Sequence, residues 1–284
     1  MSATNVLITG LGRSGTTLTC HLLDKVPDTV SLFEPMKVKT FAELPDHAAV
    51  ADAVQQFCDE QRESIHERKR AITKNAGGVV PDNPYGAEKN EGGTRQRLVR
   101  KGEIQVDREL SPEFTLVIKH VSAFAAVIDE LVKRFPVYAI VRNPLATLAS
   151  WSTIDFPAAR GHAPGAERLD AELRTRLESI EDTLDRQIAL LAWFHGRFQQ
   201  HLPDESIIRY EELVESHGRA LSVVHPGAAS LDEPLENRNI NALYDREEME
   251  RIAERLLRSE GAHWETYGKD SVESLLEAPA ARPG

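Results

Sequence analysis

Cysteine is almost missing from this chain, with only Cys20 and Cys58 among 284 residues and no zinc or redox spacing around either. A disulfide scaffold and a thiolate metal site are therefore excluded, and both thiols, which fall in helix-like segments, are expected to be reduced and packed, as suits a cytoplasm. Long apolar runs are missing too. The longest span a few residues, far below the roughly 20 that cross a bilayer, and the first residues enter a strand-like burst without a basic leader. Neither export nor a membrane anchor is expected. Positive charge is in deficit, at a formal net of −11. Such a field repels polyanions, so nucleic acid and heavily sulfated polysaccharide are poor partners, and any anionic ligand needs a local basic pocket. The histidines show no ligand spacing, so no metal site is expected, and no internal repeat is visible.

What is present is a 41% hydrophobic composition, enough for a substantial core. Apolar bursts alternate with helical patterns, the mark of βαβ units around a parallel sheet. NVLIT (5–9), TVSLF (29–33), FTLVIK (114–119), VYAIV (137–141) and SIIRY (206–210) are the strand candidates, and their nearly unbroken apolarity fits strands covered on both faces. Apolar residues three or four apart predict helices through Val127–Ile128–Leu131–Val132–Phe135, from Leu184 to Leu202, and from Met249 to Leu257. The expectation is a single α/β domain over 1–284, three-layered α/β/α with a central parallel sheet, interrupted at about 43–110 and 154–169. The first interruption opens with a charged helix-like stretch and passes into NAGGVVPDNPYGAEKNEGG, read as a flexible loop that serves as a lid or an acceptor-binding insertion.

The stretch LITGLGRSGTTL (7–18) has the glycines of a phosphate loop but Thr16 where G-x-x-x-x-G-K-[ST] places lysine. A strand, a glycine turn and a helix starting SGTTL still gather free backbone N–H groups and a positive dipole end into an anion cradle. Gly10, Gly12 and Gly15 admit the anion closely, and Thr16 and Thr17 add hydroxyls. Later strands end in bases, Lys119 with His120 and then Arg142, while the second ends in Glu34. Lining of this kind neutralises an anionic ligand without metal, although Glu34 with Thr17 leaves open a P-loop nucleotide kinase using ATP and Mg²⁺. The two acids of RYEEL, Glu211 and Glu212, are read as helix-charging residues.

GRSGTTL, then FEP, then VRNPLATLAS, and finally IIRYEEL resemble the sulfotransferases that use 3′-phosphoadenosine 5′-phosphosulfate (PAPS), with the product PAP. The likeness fades in the two insertions and after about Leu235. It implies a P-loop-like fold and transfer of a sulfuryl group to a hydroxyl of a small-molecule or carbohydrate acceptor. It also implies that the 5′-phosphosulfate is held by Arg13 and by the backbone of Gly12, Ser14, Gly15, Thr16 and Thr17. Arg142 and Ser150, eight apart across a helix start marked by Pro144, would hold the 3′-phosphate, Lys119 the sulfuryl oxygens, and Tyr210 would lie near adenine. Sulfuryl transfer needs fixed positive charge at the leaving phosphate and a base at the attacking hydroxyl. Two bases are offered. Glu34 is preferred, because its strand is expected beside the first and its surroundings resemble the glutamate-type tyrosylprotein and carbohydrate enzymes; His120 is the alternative. A non-catalytic nucleotide-binding scaffold is a third reading, and the acceptor and oligomeric state are left open.

Overall fold

The structure is a computed structural model that describes residues 4–278. Nine strands run in chain order as β1 (Asn5–Gly10), β2 (Thr29–Phe33), β3 (Arg70–Asn75), β4 (Tyr85–Lys89), β5 (Arg95–Arg97), β6 (Arg100–Gln105), β7 (Thr115–Lys119), β8 (Val137–Val141) and β9 (Ile207–Arg209). The helices are α1 (Thr16–Leu23), α2 (His47–Arg68), α3 (Ser122–Ala126), α4 (Ile128–Leu131), α5 (Pro144–Ser152), α6 (Pro164–Glu167), α7 (Ala171–Glu178), α8 (Thr183–His201), α9 (Tyr210–Glu215), α10 (Arg246–Leu257), α11 (His263–Thr266) and α12 (Lys269–Glu277).

Five strands form one parallel sheet in the order β2-β7-β1-β8-β9. Alternation along β1 sends Val6 and Ile8 to one face, where they pack with Leu22 and Leu23 of α1 and Leu213 of α9. Leu7 faces the other side, with Val54 of α2, Phe124 of α3 and Leu190 of α8. Helices therefore cover both faces, and the protein is a three-layer α/β/α fold. All five sheet strands coincide with the apolar bursts, within a residue at each end. Among the described residues no helix is long and apolar enough to cross a membrane.

The order of the strands corrects one expectation: β2 does not neighbour β1, because β7 lies between them. The helix read through 127–135 is also shorter: α4 keeps only Ile128–Leu131 of it, and Val127 separates α4 from the preceding α3. The first insertion departs further from its reading as a loop. After α2 it forms an antiparallel ribbon, β3 with β6, and a separate hairpin, β4 with β5. The hairpin is tied to the end of α5 by the Arg95 N–H, which donates to the Thr153 carbonyl at 2.9 Å.

Candidate active site

β1 leaves the sheet through Gly10, whose φ of 143° and missing side chain are both required: a Cβ there would lie 2.3 Å from the Ile140 carbonyl oxygen. Arg13 and Gly15 are also in the left-handed region, at φ 74° and 91°, and this bends the chain into the start of α1. Among the described residues no backbone carbonyl accepts from the N–H groups of Gly15, Thr16 or Thr17, as expected for the first turn of a helix. The Ser14 hydroxyl is turned away, lying 2.7 Å from the Leu11 carbonyl and 2.6 Å from that of Ile140. It fastens the turn to β8, and because the Ser14 N–H also donates to the Leu11 carbonyl at 3.2 Å, both donors expected at this position are already engaged.

This turn opens onto a cavity of about 840 Å³ at the carboxyl ends of the strands, the place where open α/β sheets hold ligands. Seven Lys and Arg residues line it against three Asp and Glu, a strongly basic interior in an acidic molecule. Lysines 74 and 119 are paired with Glu34. The five arginines, Arg13, Arg95, Arg97, Arg142 and Arg238, have no carboxylate within ion-pair distance among the described residues.

Arg13 and Ser150 come together: Arg13 Nε donates to Ser150 Oγ at 3.3 Å, and its Nη1 donates to Asn83 Oδ1 at 3.2 Å. The guanidinium lies 5.1 Å from the centre of the Tyr85 ring. Burial, then repulsion from Arg95 and Arg142, lowers its pKa to about 10, which leaves it charged at neutral pH. Arg142, 4% exposed, emerges at the β8–α5 junction, where Asn143 caps α5 by accepting from the N–H groups of Leu145 and Ala146. Its Nη1 donates to the Arg13 carbonyl at 3.1 Å, its Nε to Asn239 Oδ1 at 2.7 Å, and its Nη2 to the Arg238 carbonyl. Its guanidinium carbon lies 4.7 Å from the centre of the Tyr210 ring. Tyr210 is buried against Gly15, where a Cβ would sit 2.8 Å from the ring, and its hydroxyl donates to the Glu236 carbonyl. Thus Arg13, Arg142, Ser150 and Tyr210 form one cluster around the turn.

At the other end stands Glu34, just past β2, with φ 44°. Its N–H donates to the Lys119 carbonyl at 2.8 Å. One carboxylate oxygen accepts from Lys119 Nζ at 3.0 Å, the other from Lys74 Nζ. Burial alone would raise the pKa of this carboxyl, but Lys119 and Lys74 outweigh burial and hold it far below the usual carboxylate range. Lys119 is itself lowered, because its burial outweighs the help of Glu34. His120 is not brought to the cavity. It lies 4% exposed just past the inner strand β7, its Nε2 accepting from the Met36 N–H at 3.1 Å and its ring edge-on to Phe124. Burial pushes its pKa down to about 3.

Sequence reasoning missed several residues that this arrangement uses. Lys74, Asn83, Tyr85 and Arg95 come from the insertion, and Arg238, Asn239 and Tyr244 from the chain after Leu235. The surplus of bases in RQRLVRK (95–101) was the available signal. Glu211 stands in the first turn of α9, as its reading as a helix-charging residue has it, and does more. It accepts from the Asn143 N–H at 3.0 Å, Asn239 Nδ2 at 2.6 Å and the Tyr267 hydroxyl at 2.6 Å, so it fixes the asparagine that holds Arg142.

No family model and no curated protein matches the chain. Solved structures similar to it include the sulfotransferase domain of the Synechococcus PCC 7002 olefin synthase, at 12% identity and a TM-score of 0.39, covering 97% of this chain and 94% of that one. The sulfotransferase STF9 of Mycobacterium avium has 14% identity and a TM-score of 0.37, over 94% and 78%. STF1 of Mycobacterium tuberculosis has 15% and 0.35, over 90% and 77%. At such values the likeness carries no weight on chemistry, which rests on the cavity's own residues.

Proposed function

We propose that this chain is a sulfotransferase that takes PAPS as donor and transfers its sulfuryl group to a hydroxyl of a small-molecule or carbohydrate acceptor, without metal and in the cytoplasm. The observation that carries this reading is a basic cavity whose five arginines have no carboxylate partner among the described residues, opening on a glycine turn whose first N–H groups have no backbone acceptor among them. Guanidiniums buried without counter-charge, as those of Arg13, Arg95 and Arg142 are, are costly, and a nucleotide carrying about four negative charges matches the surplus of seven lining bases over three acids. Arg13 and the N–H groups of Gly15, Thr16 and Thr17 would hold its 5′ end. Arg142, fixed by Asn239 and Glu211, would hold the 3′-phosphate, and Tyr210 would lie by the base. When bound, the donor supplies a sulfuryl group on an activated phosphate.

Always charged, Arg13 stabilises negative charge growing at the leaving phosphate but is a poor proton donor. Lys119 provides a second positive contact beside it. Glu34 accepts the acceptor's proton, and it does so only after Lys74 or Lys119 turns its ammonium to another anion, since between two ammoniums its proton affinity is too low. The same double engagement weighs against Glu34 as a magnesium ligand in a kinase.

Calorimetric titration with PAP in the presence of chelator tests the donor, followed by labelled PAPS against an acceptor panel. PAP is expected to bind the wild type, and Arg13→Glu combined with Arg142→Glu to abolish uptake. Absence of uptake by the folded wild type, or tighter binding of ATP with Mg²⁺ than of PAP, overturns the proposal.

A further inference from the structure

Tyr85, at the start of the β4–β5 hairpin, touches two guanidiniums at once. Its ring lies 5.1 Å from that of Arg13, and its carbonyl accepts from Arg95 Nη2 at 3.4 Å. Arg95 Nε donates to the Gly86 carbonyl at 2.6 Å, so the hairpin's own backbone aims this side chain. Arg95 is 9% exposed, and among the described residues no carboxylate reaches it and no acceptor takes its Nη1. The Arg95 N–H is pinned to Thr153 at the end of α5, the helix that presents Ser150 to Arg13. Asn83 completes the link: its side-chain oxygen accepts from Arg13 Nη1 and from the Tyr85 N–H, both at 3.2 Å. Arg95 is also the strongest like-charge neighbour of Arg13. Two guanidiniums gathered on one tyrosine with no carboxylate between them repel each other, and an anion that joins them relieves that repulsion.

We infer that Arg95 is a second arginine on the anion that Arg13 holds, the 5′-phosphate end of an adenosine nucleotide, and that Asn83 and Tyr85 are positioning residues that aim Arg13 at it. The insertion is then a wall of the donor site. This rests on the donor reading above and extends it to residues outside every motif of that reading. A guanidinium contact to phosphate is charge-assisted, and its removal costs about tenfold or more in affinity, whereas the ring's contribution to Arg13 is about threefold.

The test is calorimetry with PAP, and with AMP by competition against PAP, on wild type, Arg95→Gln, Tyr85→Phe, Tyr85→Ala and the exposed control Arg258→Gln. Arg95→Gln is expected to weaken PAP and AMP by the same factor of about ten, because AMP keeps the 5′-phosphate and lacks the 3′-phosphate. Tyr85→Phe is expected to bind as wild type, Tyr85→Ala about threefold more weakly, and Arg258→Gln as wild type. Should Arg95→Gln fail to fold, the contrast between Phe and Ala at position 85 decides, since a merely structural ring would change melting temperature and not PAP affinity. Wild-type affinity in either Arg95→Gln or Tyr85→Ala overturns the inference. So does a loss confined to PAP, or an AMP that fails to compete even in the wild type, since both place the effect at the 3′ end. No PAP uptake by the wild type overturns the donor reading itself, and this inference with it.

Discussion

Single glycines separate two duties in the turn after β1. Gly10 answers to the fold: its φ of 143° and the 2.3 Å approach of the Ile140 carbonyl leave no room for a methyl group, and the obstacle is backbone of a central strand. Gly10→Ala is therefore expected to lose about 3 kcal/mol or more of stability, read as a lower denaturant midpoint. Gly15 answers to the aromatic ring beside it. Its Cβ would meet the Tyr210 ring, 2.8 Å away, and that ring can shift, so Gly15→Ala is expected to cost about 1 kcal/mol of stability while weakening PAP binding through the displaced Tyr210–Arg142 stack. Equal losses of stability in the two variants would refute this division. At this scale the resemblance singled out Arg13, Gly15, Arg142 and Tyr210, and the fold brings these four together around the turn. It was not readable where a donor is already taken, as with the Ser14 N–H on the Leu11 carbonyl, or where a side chain is sealed off, as with His120.

At the scale of elements, the sheet strands were legible because burial on both faces demands continuous apolar sequence. The insertion strands were not, because β4, β5 and β6 are narrow, half-exposed and charged, with nothing periodic to distinguish them from a loop. Yet residues 69–101 hold eight Lys and Arg against three Asp and Glu in a chain of net −11, and three of these bases, Lys74, Arg95 and Arg97, line the cavity. Lys74 of β3 is the clearest case, since it and Lys119 of β7 share the Glu34 carboxylate from two separate sheets. Replacing Lys74 with Met removes one of the two ammoniums that depress this carboxyl, so its titration is expected to move upward toward the usual range of about 4.5. Carbon-13 NMR of the Glu34 carboxyl reads this directly. An unmoved titration would mean that Lys119 alone sets the charge and that β3 has no part in the chemistry.

For the molecule as a whole, three histidines are sealed in the fold as neutral rings: His120, His195 and His263, at 4%, 1% and 0% exposure. Among the described residues His195 Nε2 and His263 Nδ1 have no hydrogen-bond partner, so none of these repays a proton there. Burial pushes His195 down to about 3, as it does His120, and His263 down to about 4. In the unfolded chain each titrates near 6.5. Above that pH neither state takes the proton and the fold keeps its full stability; as pH falls below about 6.5 the unfolded chain binds protons that the native one refuses. Stability then drops by about 1.4 kcal/mol per pH unit for each such histidine, down to pH values of about 4 for His263 and about 3 for the others. The denaturant midpoint is expected to fall steeply between pH 6.5 and 5, before carboxylates such as Glu34 begin to contribute near 4.5. His263→Gln, which cannot take the proton, is expected to be less stable than wild type at pH 7 and to lose less on acidification. A wild-type slope in that variant would assign the acid sensitivity to other groups.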